Sequence, residues 1–598
     1  MRRIPLAAVV AVLCVACATQ TAPRFDYTIP QLPEGASGLT EKPGWSALRF
    51  MVAAANPLAT DAGYQTLKAG GSALDAAIAV QMVLALVEPQ SSGIGGGAFL
   101  LHWDGRNVAA WDGRETAPAS ADEKLFLLPD GKPMAFRHAV TGGRSVGVPG
   151  AVRMLEAAHR EHGQLPWAAL FQPAITLAEQ GFRMSPRLNT LLKSETALKG
   201  DAQALAYFYA ADGQPHAVGT VMRNPALAEV LRAIASRGSA ALHGGAVAAD
   251  VVRRVHGHAT NPGLLSETDL AGYAPKKRES ICTDWKATLR VCGFPPPSSG
   301  HIAVMQILGV MERSAPMAVP LVENLPSADW LHTYTESARL AYADRAMYLG
   351  DPDFVAPPAG RWTSLLDDAY LKQRAALIGA QSMGTAKPGV PSGAQSAFAP
   401  QPDQIEAGTS HISIVDAQGR AVAMTTTIED VFGSRLMSDG GTGKPGGFLL
   451  NNELTDFSFA PADADGRPVA NRVQPGKRPR SSMSPMLVFD ARDGKLLMSL
   501  GSPGGAAIIH FTAKTLVGTL EWGLDAQRAI DLPNFGSFNG PTVLEKGRFP
   551  AATLEALRAR GHTVNEIEMT SGLQAIQRKG SGWYGGADPR REGVVRGE

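Results

Sequence analysis

Cysteine is scarce in this chain, with four in 598 residues, and Cys14 and Cys17 sit close to the N-terminus. A scaffold stapled by many disulfides is therefore excluded. An excess of either charge is also missing: 56 Lys+Arg against 55 Asp+Glu leave a formal net charge of +1. No global field draws nucleic acid or an anionic membrane surface to such a protein, which points to a small substrate. Beyond the N-terminal segment, no uninterrupted apolar run reaches the roughly 20 residues that span a bilayer. There is no HExxH, Cys282 and Cys292 belong to no CxxC, and His256 and His258 stand too isolated to ligate a metal, so no metal site is read. What the chain does have is 45% hydrophobic and 19% charged residues, enough for a large packed core.

Arg2 and Arg3 precede the apolar stretch from Ile4 to Ala16, the pattern of an export signal over residues 1–17. Two readings of its end stand side by side. Cys14-Val15-Ala16-Cys17 resembles a bacterial lipoprotein box that would leave Cys17 lipid-anchored, and Ala16-Cys17-Ala18 also fits an ordinary small-residue cleavage site. Either one takes the mature protein out of the cytoplasm, to the periplasm. Cys282 and Cys292 flank a strand-like segment, Trp285 to Val291, and are read either as a disulfide or as two buried thiols.

Apolar residues at helical spacing from Ala59 to Val87, interrupted by Gly70-Gly71, predict two helices. Asp104-Gly105 between apolar runs predicts a hairpin that delivers Arg114. Residues 150–182 and 224–256 read as helical, and Pro295 to Gly300 as a rigid loop entering another helix. Residues 380–408 are rich in Gly, Pro, Ser, Ala and Gln and predict a long mobile tether. It ends abruptly at His411-Ile412-Ser413-Ile414-Val415, a Gln418-Gly419 turn, and Ala421 to Thr427, which predict paired strands. Met486–Phe489 and Leu496–Leu500 predict a second hairpin, followed by a helix from about Ala506 to Trp522.

A tether feeding a strand headed by Thr409 has a plain explanation as a linker. It also has a chemical one. A hydroxyl beside the preceding carbonyl can attack it to form an ester that water opens, and Gly408 tolerates the backbone this needs. Cleavage exposes an α-amine whose reference pKa of about 7.7–8.0 suits it to deprotonate the neighbouring hydroxyl.

Five ordered blocks carry a resemblance: Thr409-Ser410-His411-Ile412-Ser413; Thr425 to Glu429 with Phe432-Gly433; Asn451 to Phe457; Pro479 to Pro485; and Gly501 to Gly505. Earlier in the chain, Gly93 to Gly97, Arg114 to Pro118, Pro295 to Gly300, Tyr342 to Arg345 and Tyr348 to Pro352 join them. Together these resemble the γ-glutamyltransferase (glutathione hydrolase) family over nearly all of the mature chain. The resemblance implies an α/β (α+β) N-terminal-nucleophile hydrolase fold of four layers, two stacked sheets between helical layers. It further implies autocleavage between Gly408 and Thr409 into a large subunit, 18–408, and a small subunit, 409–598, which remain together as a heterodimer. Substrates would be glutathione or other γ-glutamyl donors, with water, amino acids or peptides as acceptors, and neither metal nor organic cofactor.

Carried over residue by residue, Thr409 is the nucleophile, Thr427 its hydrogen-bonding partner, and Gly504 and Gly505 the amides facing the oxyanion. Arg114 with Ser481 and Ser482 would hold the α-carboxylate on one wall, and Glu453 with Asp456 the α-ammonium on the opposite wall. Glu429 adds a third carboxylate beside them. His411 is assigned a structural role, because the α-amine already supplies the base. A Gly-rich extension within Ser438–Gly447 and a lid-like segment at 458–475 depart from the pattern and leave acceptor choice open. Two other functions are weighed: a related acylase acting on a β-lactam side-chain amide, and a non-catalytic lipid-anchored binding protein.

Overall fold

The computed structural model describes residues 38–314, 319–394, 398–402 and 408–598. The signal segment 1–17, with Cys14 and Cys17, lies outside the described residues. Fourteen strands build two large antiparallel sheets. In chain order they are β1 (Trp45–Ala47), β2 (Met51–Ala54), β3 (Gly97–Trp103), β4 (Val108–Asp112), β5 (Lys276–Glu279), β6 (Ile281–Trp285) and β7 (Leu289–Gly293). Then follow β8 (Ser410–Val415), β9 (Ala421–Thr427), β10 (Met486–Asp490), β11 (Leu496–Gly501), β12 (Gln574–Lys579), β13 (Gly582–Ala587) and β14 (Val594–Gly597). One sheet runs β14-β2-β8-β9-β3-β4-β5 and the other β1-β13-β12-β11-β10-β7-β6.

Side chains alternate between the two faces of a strand, and the core divides accordingly. Met51, Ala53, Phe99 and Leu101 meet Leu487, Phe489, Ile576 and Trp583 between the sheets. Their sequence neighbours Val52, Ala54, Leu100, Ile412 and Ile414 face the opposite way, onto a helical layer. Met486, Val488, Met498 and Leu500 do the same on the other sheet. The architecture is thus the expected four layers, helix, sheet, sheet, helix. Each fully buried Leu, Ile or Phe contributes about 1.5–3 kcal/mol to holding them together.

The first helical layer begins with α1 (Pro57–Lys68) and α2 (Ala73–Val87). Asn56 caps α1 and Pro57 opens it, while Ser72 and Asp75 form a reciprocal capping box on α2. All of α2 is buried, which is why it is apolar on every side. The second layer contains α3 (Gly300–Arg313), α4 (Ala328–Tyr348) and α5 (Ile508–Leu520), packed on the β10–β11 sheet. Residues 150–182 and 224–256 are helical as read, in several pieces. Among the described residues, no helix is long and apolar enough to cross a membrane.

Strands β8 and β9, which follow Thr409, lie at the centre of their sheet between β2 and β3 from the first part of the chain. Cys282 and Cys292 face each other across β6 and β7 and are disulfide-bonded, which settles that alternative.

One expectation is corrected. The segment from 381 to 394 is not a loose tether. It buries little apolar surface, but its backbone amides are held by polar side chains: Met383 N donates to Glu336 (2.9 Å), Ala386 N to Asn539 (2.7 Å) and Gly389 N to Asp344 (2.7 Å). Composition reports apolar burial and misses such anchors. Residues 403–407 lie outside the described residues. The Gly-rich extension within Ser438–Gly447, whose conformation the sequence left open, packs against outer helices. Asn224 donates to the Gly447 carbonyl (2.9 Å), Gln203 to that of Gly446 (2.8 Å), and Lys444 pairs with Glu229. The lid-like segment docks through Phe459, stacked on Phe126 at 4.4 Å.

Candidate active site

Thr409 stands one residue before β8, and the β8–β9 register, Ser410 opposite Thr426, places it opposite Thr427 when extended by one step. It is buried, and Arg591 donates to its carbonyl oxygen at 3.1 Å. Gly408 has φ +78°, and a Cβ there would come within 2.1 Å of the Glu429 carbonyl oxygen. Only glycine fits on both counts. The Thr427 hydroxyl accepts from Glu429 N at 2.8 Å and lies 3.5 Å from the Gly408 carbonyl oxygen, to which it donates. Glu429, Phe432 and Arg435 all adopt positive φ in the loop after β9. Backbone strain of about 1–3 kcal/mol per such residue is thus concentrated next to the scissile-bond candidate.

A small cavity of about 20 Å³ opens at Thr409, lined further by Arg114, Thr427, Glu429, Glu453, Asp456, Ser481, Ser482 and Gly505. Nine of the ten site residues read from sequence therefore share one cavity. The tenth, Gly504, adjoins it from the neighbouring cavity. Gly504 and Gly505 have φ +131° and +55° and lead through a short 3-10 turn, Gly505–Ala507, into α5. Backbone amides at such a helix start favour negative charge.

The charges are arranged differently from the expectation of opposite walls. The Arg114 guanidinium bonds Glu453 and Asp456 directly, and also donates to the carbonyls of Pro479 (3.2 Å) and Arg480 (3.0 Å). The carboxylates and the cation neutralise one another because a buried charge without a partner is costly. Ser482 accepts from Arg345 at 2.5 Å and Ser481 from Met483 N at 3.1 Å, so the two hydroxyls are pre-oriented. The Glu429 carboxylate is held by Asn452 and by Thr455 (3.2 Å).

Three lining carboxylates face one lining cation. Burial raises the Glu429 carboxyl well above the usual range, and Asp456, Asp430 and Glu453 raise it further. Burial also raises Glu453, against the opposing pull of Arg114. The neighbouring Glu115 is pushed by burial up to about 8, and it fits only because Gly97 lacks a Cβ, which would sit 2.2 Å from its Oε2. The pocket carries a surplus of acid that a cationic group would relieve.

Sequence reading missed Arg345, Arg591 and Glu115. All are buried ionisable groups beside named site residues, Arg345 at Ser482, Arg591 at Thr409 and Glu115 at Arg114; Glu115 and Arg345 lie inside the blocks Arg114–Pro118 and Tyr342–Arg345, which was their signal, and Arg591 had none. His411 is buried against Thr425 (2.9 Å) and Ser413 (3.1 Å), with burial lowering it to about 3, as fits a structural imidazole. His332, Glu336 and His562 bring ligand-type atoms within 4.8 Å of one another. Their atoms are already hydrogen-bonded: His332 to His562 and the Gly379 carbonyl, His562 to Thr542, and Glu336 to Arg339, Ser382 and Met383.

A threonine heading a central strand of a helix-sheet-sheet-helix body, with helix-start amides beside it, defines the N-terminal-nucleophile hydrolase class. Within that class, the model of the γ-glutamyltranspeptidase family matches residues 59–597, and the chain belongs to that family. It is 34% identical over 564 residues to a glutathione hydrolase proenzyme of Bacillus subtilis, covering 92% of this chain and 91% of that one. To the glutathione hydrolase proenzyme of Escherichia coli it is 34% identical over 604 residues, covering 99% and 97%. The crystal structure of a cephalosporin acylase from Bacillus halodurans superposes with a TM-score of 0.79 at 27% identity, covering 96% of this chain and 99% of that one.

Proposed function

We propose that this chain is a self-processing γ-glutamyltransferase and glutathione hydrolase. The observation that carries the reading is the pocket at Thr409, in which one guanidinium and three carboxylates suit the paired α-carboxylate and α-ammonium of a free glutamyl head group. In the first step the Thr409 hydroxyl adds to the Gly408 carbonyl. The C–N bond breaks as the Thr409 nitrogen takes up the proton, and water opens the resulting ester. Large and small subunits then stay together through the interleaved sheet.

In turnover, the freed α-amine takes the Thr409 hydroxyl proton while Oγ attacks the γ-carbonyl of the donor. The amides of Gly504 and Gly505 receive the developing oxyanion, and the donor amine leaves with the proton. Water or an acceptor amine then releases the γ-glutamyl group. Arg114, freed from its carboxylate partners as the ammonium takes its place, binds the α-carboxylate with Ser481 and Ser482. Glu453, Asp456 and Glu429 hold the ammonium. Export through residues 1–17 belongs to the same proposal, and mass spectrometry of the mature N-terminus tests it.

The fold likeness to an acylase supports a second reading, hydrolysis of amides whose acyl group lacks an ammonium. γ-Glutamyl-p-nitroanilide against glutaryl-p-nitroanilide separates the two. The carboxylate surplus leads us to expect at least a hundredfold preference for the γ-glutamyl compound, about 2.7 kcal/mol, and equal or reversed preference would overturn the assignment.

A further inference from the structure

The connection from β13 to β14, residues 588–593, crosses from one sheet to the other and carries two consecutive arginines with different partners. Arg590 is held by Asp588 (3.2 Å) and Glu545 (2.6 Å). Arg591 instead donates to the Thr409 carbonyl oxygen at 3.1 Å. Its stem lies against Gly572, where a Cβ would stand 2.8 Å from the Arg591 Cδ and 2.5 Å from Pro503, the neighbour of Gly504. The missing side chain at 572 leaves the room through which Arg591 reaches Thr409.

Arg591 is buried, and the charged groups around it are Glu88, Arg187, Asp588 and Glu592. Glu88 closes the C-terminal end of α2, accepts from the Ser410 hydroxyl at 3.1 Å and lies 3.8 Å from Arg187. Burial lowers the Arg591 guanidinium to about 9, helped by Arg187, and leaves it cationic at neutral pH. Towards the cavity, Thr409 meets Glu429, Glu453 and Asp456, with Arg114 bonded to the last two. Those carboxylates favour an ammonium at Thr409, and an ammonium cannot take up a proton. The donating Arg591 nitrogen is within about 7 Å of the Thr409 nitrogen, because three covalent bonds separate a residue's own nitrogen from its carbonyl oxygen. A fixed like charge that close, in a buried site, disfavours the ammonium.

We propose that Arg591 is a positioning residue for the nucleophile: it anchors the Thr409 carbonyl, and its charge holds the α-amine freed by cleavage in the neutral form that accepts the Oγ proton. The inference rests on the γ-glutamyl reading, with Thr409 as N-terminal nucleophile. Arg591 does not line the cavity and acts through Thr409 alone. Glu88 holds the following residue through Ser410 Oγ, so one buried ion cluster fixes both residues at the head of β8.

The experiment measures kcat/KM for γ-glutamyl-p-nitroanilide, without added acceptor, between about pH 5.5 and 9.5 in processed wild type, Arg591→Gln, Arg591→Met and Arg591→Lys; the acid limb reports the base of the free enzyme. The expected result is an acid-limb midpoint raised by about 0.5–1 pH unit in Arg591→Gln and Arg591→Met, with a threefold to tenfold loss of rate below it. Arg591→Lys keeps the charge and should return the midpoint towards wild type. The midpoint does not depend on how much of a variant has processed, since an uncut chain has no amine at Thr409 and releases no p-nitroaniline. Met needs no polar partner when buried and stands in for Gln should that variant fail to fold. A slower enzyme with an unmoved midpoint overturns the inference and leaves the γ-glutamyl reading intact. Folded uncharged variants that never cleave, beside an Arg591→Lys that does, place the same need for charge at the cleavage step and support the inference; an Arg591→Lys that cleaves no better overturns it. Processed wild type that releases no p-nitroaniline sinks the γ-glutamyl reading and this inference with it.

Discussion

Replacing Gly408 with alanine should slow self-cleavage about a hundredfold without unfolding the protein. The residue has φ +78°, where an L side chain costs roughly 1–2 kcal/mol. The added Cβ would stand 2.1 Å from the Glu429 carbonyl oxygen, against a 3.0 Å floor for real contacts, so something must move by about 0.9 Å. That neighbour is backbone in a strained loop and cannot turn aside as a side chain would. The displacement falls on the Gly408 carbonyl, the electrophile, and moves it relative to Thr409 and Thr427. A shift near 1 Å in a reacting geometry costs on the order of 10² in rate. The assay is a time course of purified precursor on denaturing gels, with thermal unfolding as a control for folding. Processing of Gly408→Ala at the wild-type rate, in a folded protein, would refute the argument from geometry.

Three further outcomes follow from the same site and core. Glu453→Gln keeps the shape that meets Arg114 but removes a charge from the ammonium site; KM for γ-glutamyl-p-nitroanilide should rise roughly tenfold to a hundredfold, the worth of a charged hydrogen bond, and an unchanged KM would remove Glu453 from recognition. Thr427→Val leaves Glu429 N without its acceptor, so stability to urea should drop by about 1–3 kcal/mol and processing should slow; no change in either would show the hydroxyl to be idle. His301 is fully buried and burial lowers it to about 3, below its unfolded value near 6.5, so its share of stability is present above pH 6.5 and is lost as pH falls. Between pH 7.5 and pH 5 that share amounts to about 2 kcal/mol, and urea unfolding of His301→Leu should show an acid limb shallower by this amount; parallel limbs would contradict the buried neutral imidazole.

Much of this architecture was legible in the sequence because its signals are local. The apolar runs in Gly97–Trp103 and His411–Val415, Asp104-Gly105 at a tip, and Gly70-Gly71 between helices each follow from the neighbouring residues alone. The site was legible for another reason: Thr409, Glu453 and Ser481 are far apart in the chain, and the ordered motif blocks stood in for their proximity. What sequence did not yield depends on contacts across the fold. The stretch at 381–394 looks like linker by composition, yet Glu336, Asp344 and Asn539 hold its amides from distant elements. Opposite walls for Arg114 and for Glu453 with Asp456 suit a zwitterionic head group, whereas burial pairs these charges directly, a contact between residues more than 300 positions apart. Arg591 lies far along the chain from Thr409 and is connected to it only through the sheet, in which the C-terminal strand β14 pairs with β2, the neighbour of β8.

The central claim is that Thr409 becomes the N-terminus and the nucleophile of a cleaved fragment. Sequencing the smaller fragment of the purified protein tests it most directly, with Thr409→Ala prepared in parallel. The account predicts a fragment beginning Thr409-Ser410-His411-Ile412 in the wild type and a single uncut chain in the variant. A different first residue, or normal cleavage in Thr409→Ala, would contradict it.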